Sequence, residues 1–232
     1  LQSYKKMKKF FTNIYSHTKA HFAKPLSVTW LCLILSVATL LIYHFPFFDY
    51  VTENIECDFN GVLIFTTLVV AMLAVNFLVY SLLLYLCRMV GRVLLALLFV
   101  GNAVCLYFIN TYEVLITSDM MGNVFNTRFS EASGYFSLGA ILYFVVLGLI
   151  PAIYVIMRKV EYGKFKRCMA NVGISFVTLI VIAVANMTNF PWIDRNATTI
   201  GSLIMPWSYI ANTARYFHKQ HQLNREEIKL PD

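Results

Sequence analysis

The sequence predicts an all-α integral membrane protein, a bundle of five transmembrane helices with interfacial helices on its outer side. Composition is the first reason. The 232 residues are 59% hydrophobic and only 13% charged, whereas soluble chains run about 45–50% apolar and about 25% charged. The second reason is a partition: five long stretches, 26–45, 61–87, 93–110, 136–157 and 169–186, contain no Asp, Glu, Lys or Arg. A spanning helix needs about 20 apolar residues. Helices suit these runs because hydrocarbon obliges every backbone N–H and C=O to pair internally, and barrel strands would alternate.

The charges between the stretches set an expected orientation. Residues 1–24 carry Lys5, Lys6, Lys8, Lys9, Lys19 and Lys24 and no acid. Arg88 and Arg92 join the second and third stretches, and Arg158, Lys159, Lys164, Lys166 and Arg167 join the fourth and fifth against Glu161 alone. The alternate connections hold Asp49, Glu53, Glu56 and Asp58, then Glu113, Asp119 and Glu131 against Arg128. Lys and Arg stay cytoplasmic, so the N-terminus is expected inside and the C-terminus outside. The net charge of +7 follows from this distribution and does not indicate a nucleic-acid partner. The first apolar run is too long, and its basic flank too extended, for a cleavable signal peptide.

In chain order, residues 1–24 form a basic cytoplasmic segment, with Lys5–His21 as a short amphipathic helix. Pro25 opens span one, which ends at His44-Phe45-Pro46. Residues 46–60 read as an outer loop. The connection 88–92 is short enough to force an antiparallel hairpin, and Asn76 and Asn102 are polar groups expected to hydrogen-bond between helices. The segment 111–135 is too polar to span. Ser118 or Asp119 caps a helix beginning at Met120, Asn126-Thr127 breaks it, and Thr127 caps a second helix with Glu131 in its first turn. Phe125 and Phe129 anchor these at the membrane surface. Residues 187–232 lie outside; Pro206 starts a helix whose stripe of Trp207, Ile210, Ala211, Ala214 and Phe217 reads as interfacial, followed by a polar linker.

Asn123, Thr127 and Glu131 recur every four residues, so a helix would present them on one side. They offer an amide, a hydroxyl and a carboxylate, a set suited to a zwitterionic headgroup whose ammonium needs a carboxylate and whose phosphate needs neutral donors. A solvated polar face is the plain alternative. No metal site is expected: the five cysteines are scattered, His218 and His221 lack a neighbouring carboxylate, and structural zinc takes four ligands. Asn196-Ala197-Thr198 matches a glycosylation acceptor by pattern alone.

Tyr107-Phe108-Ile109-Asn110-Thr111-Tyr112, Ser118-Asp119-Met120-Met121-Gly122-Asn123-Val124, then Thr127 and Glu131-Ala132 resemble the membrane domain of lipid A phosphoethanolamine transferases, the family that includes the mobile colistin-resistance enzymes. Asn110 and Glu113 depart from the pattern, where Asp and Gly are more usual. The resemblance implies that Asn123, Thr127 and Glu131 hold the headgroup of phosphatidylethanolamine, that lipid A is the acceptor, and that the location is the bacterial inner membrane with a periplasmic C-terminus. It further implies a soluble periplasmic domain carrying a zinc site and a threonine nucleophile in a Gly-Glu-Thr motif. That motif does not occur here, so no catalytic residue is expected in this chain, which reads as the membrane domain of a longer enzyme. A passive anchor or scaffold and a small transporter are the competing classes; the transporter is disfavoured because no Asp, Glu, Lys or Arg lies within a span and no repeat is evident.

Overall fold

The computed structural model describes residues 24–128, 133–135 and 137–227. The expected helix at Lys5–His21 therefore lies outside the described residues. What is described is almost entirely helical. A two-residue parallel pair, β1 (Leu26–Ser27) with β2 (Val160–Glu161), is the one sheet among these residues.

Helix α1 is Val28–Tyr43, opened by the Ser27 hydroxyl, which accepts from the Trp30 N–H at 3.4 Å. It stops at His44. The chain then bends by 67° into α2, Phe45–Asn54, where Pro46 fills an early helical position that needs no N–H partner. Residues 46–60 are thus not the outer loop expected from sequence: most of them are helical, because Phe47 and Val51, one turn apart, are both buried in the core.

His44 secures this corner. It is fully buried; its Nδ1 lies 3.0 Å from the Thr39 carbonyl, and its Nε2 accepts from the Met205 N–H at 3.1 Å. Nδ1 is therefore the protonated nitrogen, since the Thr39 oxygen can only accept. The His44→Ala variant is expected to lose about 3 kcal/mol or more. It orphans two buried backbone groups at about 1–3 kcal/mol each and leaves a cavity. Thermal unfolding in detergent reads this, and His44→Gln, with both a donor and an acceptor, should recover part of it.

Helix α3, Phe59–Tyr112, is capped by Asp58, whose carboxylate accepts from the Gly61 N–H at 2.7 Å, and ends at Glu113 in a left-handed conformation. Its length, 54 residues, would give a rod of about 80 Å against a hydrocarbon core of about 30 Å. It is broken at Arg88, whose φ of 35° and ψ of −100° are not helical. Residues eight apart on a straight helix are about 12 Å distant, yet a Cβ on Gly91 would overlap the Leu83 carbonyl. The chain therefore folds back, and a first arm (59–87) runs beside a second (89–112).

Helix α4 is Ser118–Asn126. Helix α5, Leu138–Met157, starts from a Ser137 cap and widens to π geometry over Tyr143–Leu149. Such a stretch misaligns carbonyls, and the Tyr43 hydroxyl donates to that of Leu147. Helix α6 is Phe165–Ala185, α7 is Phe190–Leu203 and α8 is Trp207–Glu227. The sequence reading lacked α7 and ended the helical part of α8 too early, because their polar composition resembles that of a linker.

Three helices, α3, α5 and α6, are long and apolar enough to cross a membrane, and four segments are if α1 and α2 count as one bent span. The expected five are not reproduced by this count, because two of them run as the single helix α3. Membrane character does not depend on the number. The most apolar windows of α5 and α6 are only 17% buried inside the protein, a lipid-sized apolar exterior that water would not tolerate.

The helix ends sort the charges. Lys24, Arg88, Arg92, Arg158, Lys159, Lys164, Lys166 and Arg167 gather where α1 begins, α3 bends, α5 ends and α6 begins. The Leu26 N–H donates to the Lys159 carbonyl at 3.0 Å, and Arg92 Nε donates to the Tyr162 hydroxyl at 3.0 Å. Arg88 and Arg92 lie 5.5 and 5.6 Å from the centroid of the Tyr162 ring. Asp49, Glu53, Glu56, Asp58, Glu113 and Asp119 belong to the opposite, acidic end.

Candidate functional site

At the acidic end, α4 begins two residues earlier than expected. The cap is Thr117, not Ser118 or Asp119: its hydroxyl accepts from the Met120 N–H at 3.2 Å, which leaves Asp119 in the first turn, where the helix dipole favours a carboxylate. The helix stops at Asn126, at the expected break. The backbone N–H and the hydroxyl of Thr127 both donate to the Asn123 carbonyl, at 2.8 and 2.6 Å. Asn123 and Thr127 are thereby held one turn apart, the first exposed and the second half-buried. Glu131, the third predicted site residue, lies outside the described residues, as do Phe129 and the helix that Thr127 was expected to cap.

The Thr127 hydroxyl donates its proton to the Asn123 backbone carbonyl, which leaves it the capacity to accept, while a side-chain amide such as that of Asn123 can both donate and accept.

The position of α4 is set by α8. Gly122 is the point of closest approach, since a Cβ there would come within 2.8 Å of Cε2 of Tyr216. Asn126 Nδ2 donates to the Gly122 carbonyl at 2.9 Å and to the Tyr216 hydroxyl at 3.1 Å. Phe125 stacks on Tyr216 with centroids 5.9 Å apart and meets Phe217 at 5.1 Å. Phe125 is therefore partnered by protein rather than serving only as an anchor to the membrane surface. The Asp119–Lys219 pair at 3.8 Å is highly exposed and adds little.

The root of α8 is in turn held between the two arms of α3. Trp207 Nε1 donates to Asn76 Oδ1 at 3.0 Å. The Tyr209 hydroxyl reaches both Asn102 Oδ1 at 3.1 Å and the Leu98 carbonyl at 3.2 Å. Burial pushes the Tyr209 phenol far above its usual pKa, so it remains a donor. Asn212 Nδ2 donates to the Ile116 carbonyl at 2.6 Å, just ahead of the α4 cap. Asn76 and Asn102 do bond to another helix, through their Oδ1 atoms, with α8 as the partner. Of the apolar stripe, Ile210, Ala211, Ala214 and Phe217 are exposed at the surface of the protein, whereas Ser208 and Asn212 are buried. Two buried amides that need donors were the available signal for this docking.

The other root of the segment is aromatic. Tyr107, Phe108, Tyr112 and Tyr135 form edge-on and tilted pairs with centroids 5.4–6.0 Å apart. Tyr107 shares a 2.8 Å hydrogen bond with Ser137, and Asn110 donates to the Tyr143 hydroxyl at 3.1 Å.

The sequence profile described as Phosphoethanolamine transferase EptA/EptB matches residues 72–221, more than half of the chain, from the first arm of α3 through α4 to α8. The chain belongs to this phosphoethanolamine transferase family. It is 34% identical over 199 residues to Phosphoethanolamine transferase EptA of Helicobacter pylori, covering 84% of this chain and 36% of that protein. It is 28% identical over 172 residues to Phosphatidylethanolamine transferase Mcr-1 of Escherichia coli, covering 72% of this chain and 30% of that one. The chain thus spans roughly a third of the length of these curated relatives. Among solved structures, the integral membrane lipooligosaccharide phosphoethanolamine transferase A from Neisseria meningitidis superposes with a TM-score of 0.76 at 22% identity, covering 86% of this chain and 38% of that one. At that identity the likeness establishes the fold alone, that of a multi-pass integral membrane protein.

Two other groups in this phosphoethanolamine transferase family member have structural partners. Among the described residues no three of His, Cys, Asp or Glu are placed to share a metal, and the His218 ring meets Gln222 at 3.0 Å. Asn196, of the glycosylation-like triplet, accepts from the Tyr50 hydroxyl at 2.6 Å and donates to the Trp192 carbonyl at 2.8 Å, which ties α7 to α2.

Proposed function

We propose that this chain is the membrane domain of a phosphoethanolamine transferase, that it holds phosphatidylethanolamine as donor, and that it supports transfer of phosphoethanolamine to lipid A. The observation that carries the reading is the pairing of Asn123 with Thr127 on a helix fastened to α8, in a chain of this family. On this reading Asn123 donates to the donor phosphate, while Thr127 and Glu131 receive the ammonium, Glu131 supplying the charge. The sorting of basic and acidic helix ends supports a cytoplasmic N-terminus and a C-terminus on the opposite, periplasmic side, and the family likeness supports the bacterial inner membrane as the location. The zinc and the threonine nucleophile implied by the sequence resemblance belong to the enzyme's own periplasmic domain, and lipid A is the acceptor.

The test is retention of phosphatidylethanolamine by the delipidated chain in detergent, read by native mass spectrometry. Asn123→Ala should weaken retention about tenfold, the loss of one hydrogen bond to a charged group. Retention equal to that of the unaltered chain would leave the chain an anchor without a lipid site.

A further inference from the structure

A separate groove opens between α8, the first arm of α3 and α7, sharing Trp207 and Asn212 with the docking contacts described above. It has a volume of about 370 Å³ and is lined by Met72 and Val75 of the first arm of α3, Thr198 of α7, and Trp207, Asn212 and Arg215 of α8. That volume falls within the usual range of small-ligand sites, roughly 300–1,000 Å³. The wall from α3 is aliphatic and belongs to a helix apolar enough to cross a membrane. The rim is polar. Arg215 Nη1 donates to Asn212 Oδ1 at 3.3 Å, and Asn212 is itself buried and fixed to the Ile116 carbonyl. One edge of the guanidinium is thereby oriented, which leaves its remaining N–H groups available to another acceptor. Among the described residues no acidic side chain lines the groove.

We propose that this groove binds an anionic glycerophospholipid, with its phosphate on Arg215 and Thr198 and an acyl chain against Met72 and Val75. A guanidinium fits phosphate in a forked, two-bond geometry. A groove with a cation and no carboxylate favours a headgroup of net negative charge over a zwitterionic one, whose ammonium finds no partner. Trp207 suits the level of the headgroups, where amphipathic rings concentrate. The site is distinct from the Asn123–Thr127 pair and does not depend on the proposed donor function.

The experiment uses the delipidated chain in detergent with dioleoylphosphatidylglycerol, and with dioleoylglycerol as its phosphate-free counterpart. Native mass spectrometry should show phosphatidylglycerol retained well above diacylglycerol. Arg215→Gln should lower that retention about tenfold or more, Arg215→Lys should restore part of it, and Arg195→Gln, on α7 outside the groove, should leave it unchanged. Undiminished phosphatidylglycerol binding by Arg215→Gln at an unchanged melting temperature would overturn the proposal, and so would equal retention of diacylglycerol by the unaltered chain. Because the donor test reads phosphatidylethanolamine on Asn123→Ala, each reading can fail alone.

Discussion

Replacing Glu131 with Gln in the longer enzyme that the proposed function requires is expected to remove transfer while leaving the protein in the membrane at its normal level. The substitution keeps the shape of the side chain and a carbonyl oxygen and deletes only the charge. An ammonium deprived of its carboxylate loses a charge-assisted hydrogen bond worth about 1.5–3 kcal/mol, so turnover at low donor concentration should fall by about tenfold or more. Asn123→Ala should cost less, because it removes a neutral donor. Thr127→Val should also lower stability, since the Thr127 hydroxyl closes the end of α4 on the Asn123 carbonyl. The measurement is phosphoethanolamine transfer in vesicles, normalised to protein in the membrane fraction. Full activity of Glu131→Gln would reject the headgroup site.

The second large effect concerns the fold. Gly91→Ala should lower the melting temperature in detergent, because its methyl group would overlap the Leu83 carbonyl at the turn of α3. Backbone cannot swing aside as a side chain can, so the two arms must part. Overpacking of this kind costs about 1–3 kcal/mol. Gly173→Ala is the matched control: it lies inside α6 with nothing within 4 Å of the added atom, and should be neutral or gain about 0.5–1 kcal/mol from the reduced freedom of the unfolded chain. Equal melting temperatures for the two variants would contradict the fold-back at Arg88.

The apolar rods were legible because lipid imposes a simple rule, that of long uncharged stretches with charges at their ends. The break of α4 at Asn126-Thr127 was legible for a local reason, the tendency of Asn and Thr to bond nearby backbone. What escaped was set by distant contacts. Residues 46–60 read as a loop because their acids and aromatics suit a membrane surface, yet Phe47 and Val51 find a buried seat. Helix α8 read as an interfacial helix on the outer leaflet, and nothing within it indicates that the amides of Asn76 and Asn102 hold its root at Trp207 and Tyr209. The candidate site was found by resemblance rather than spacing: its recurrence of polar residues also fits a solvated helix, and nothing in the sequence announces that Gly122 rests on Tyr216.

The attachment of α8 has a mechanical consequence. It is continuous for 21 residues, a stiff rod about 30 Å long, pivoted at Trp207 and Tyr209 and gripped at mid-length by α4. A push at its distal tip would tilt the whole rod about that pivot and drag Asn123 along through the Tyr216 bearing, with no intervening hinge to absorb the stroke.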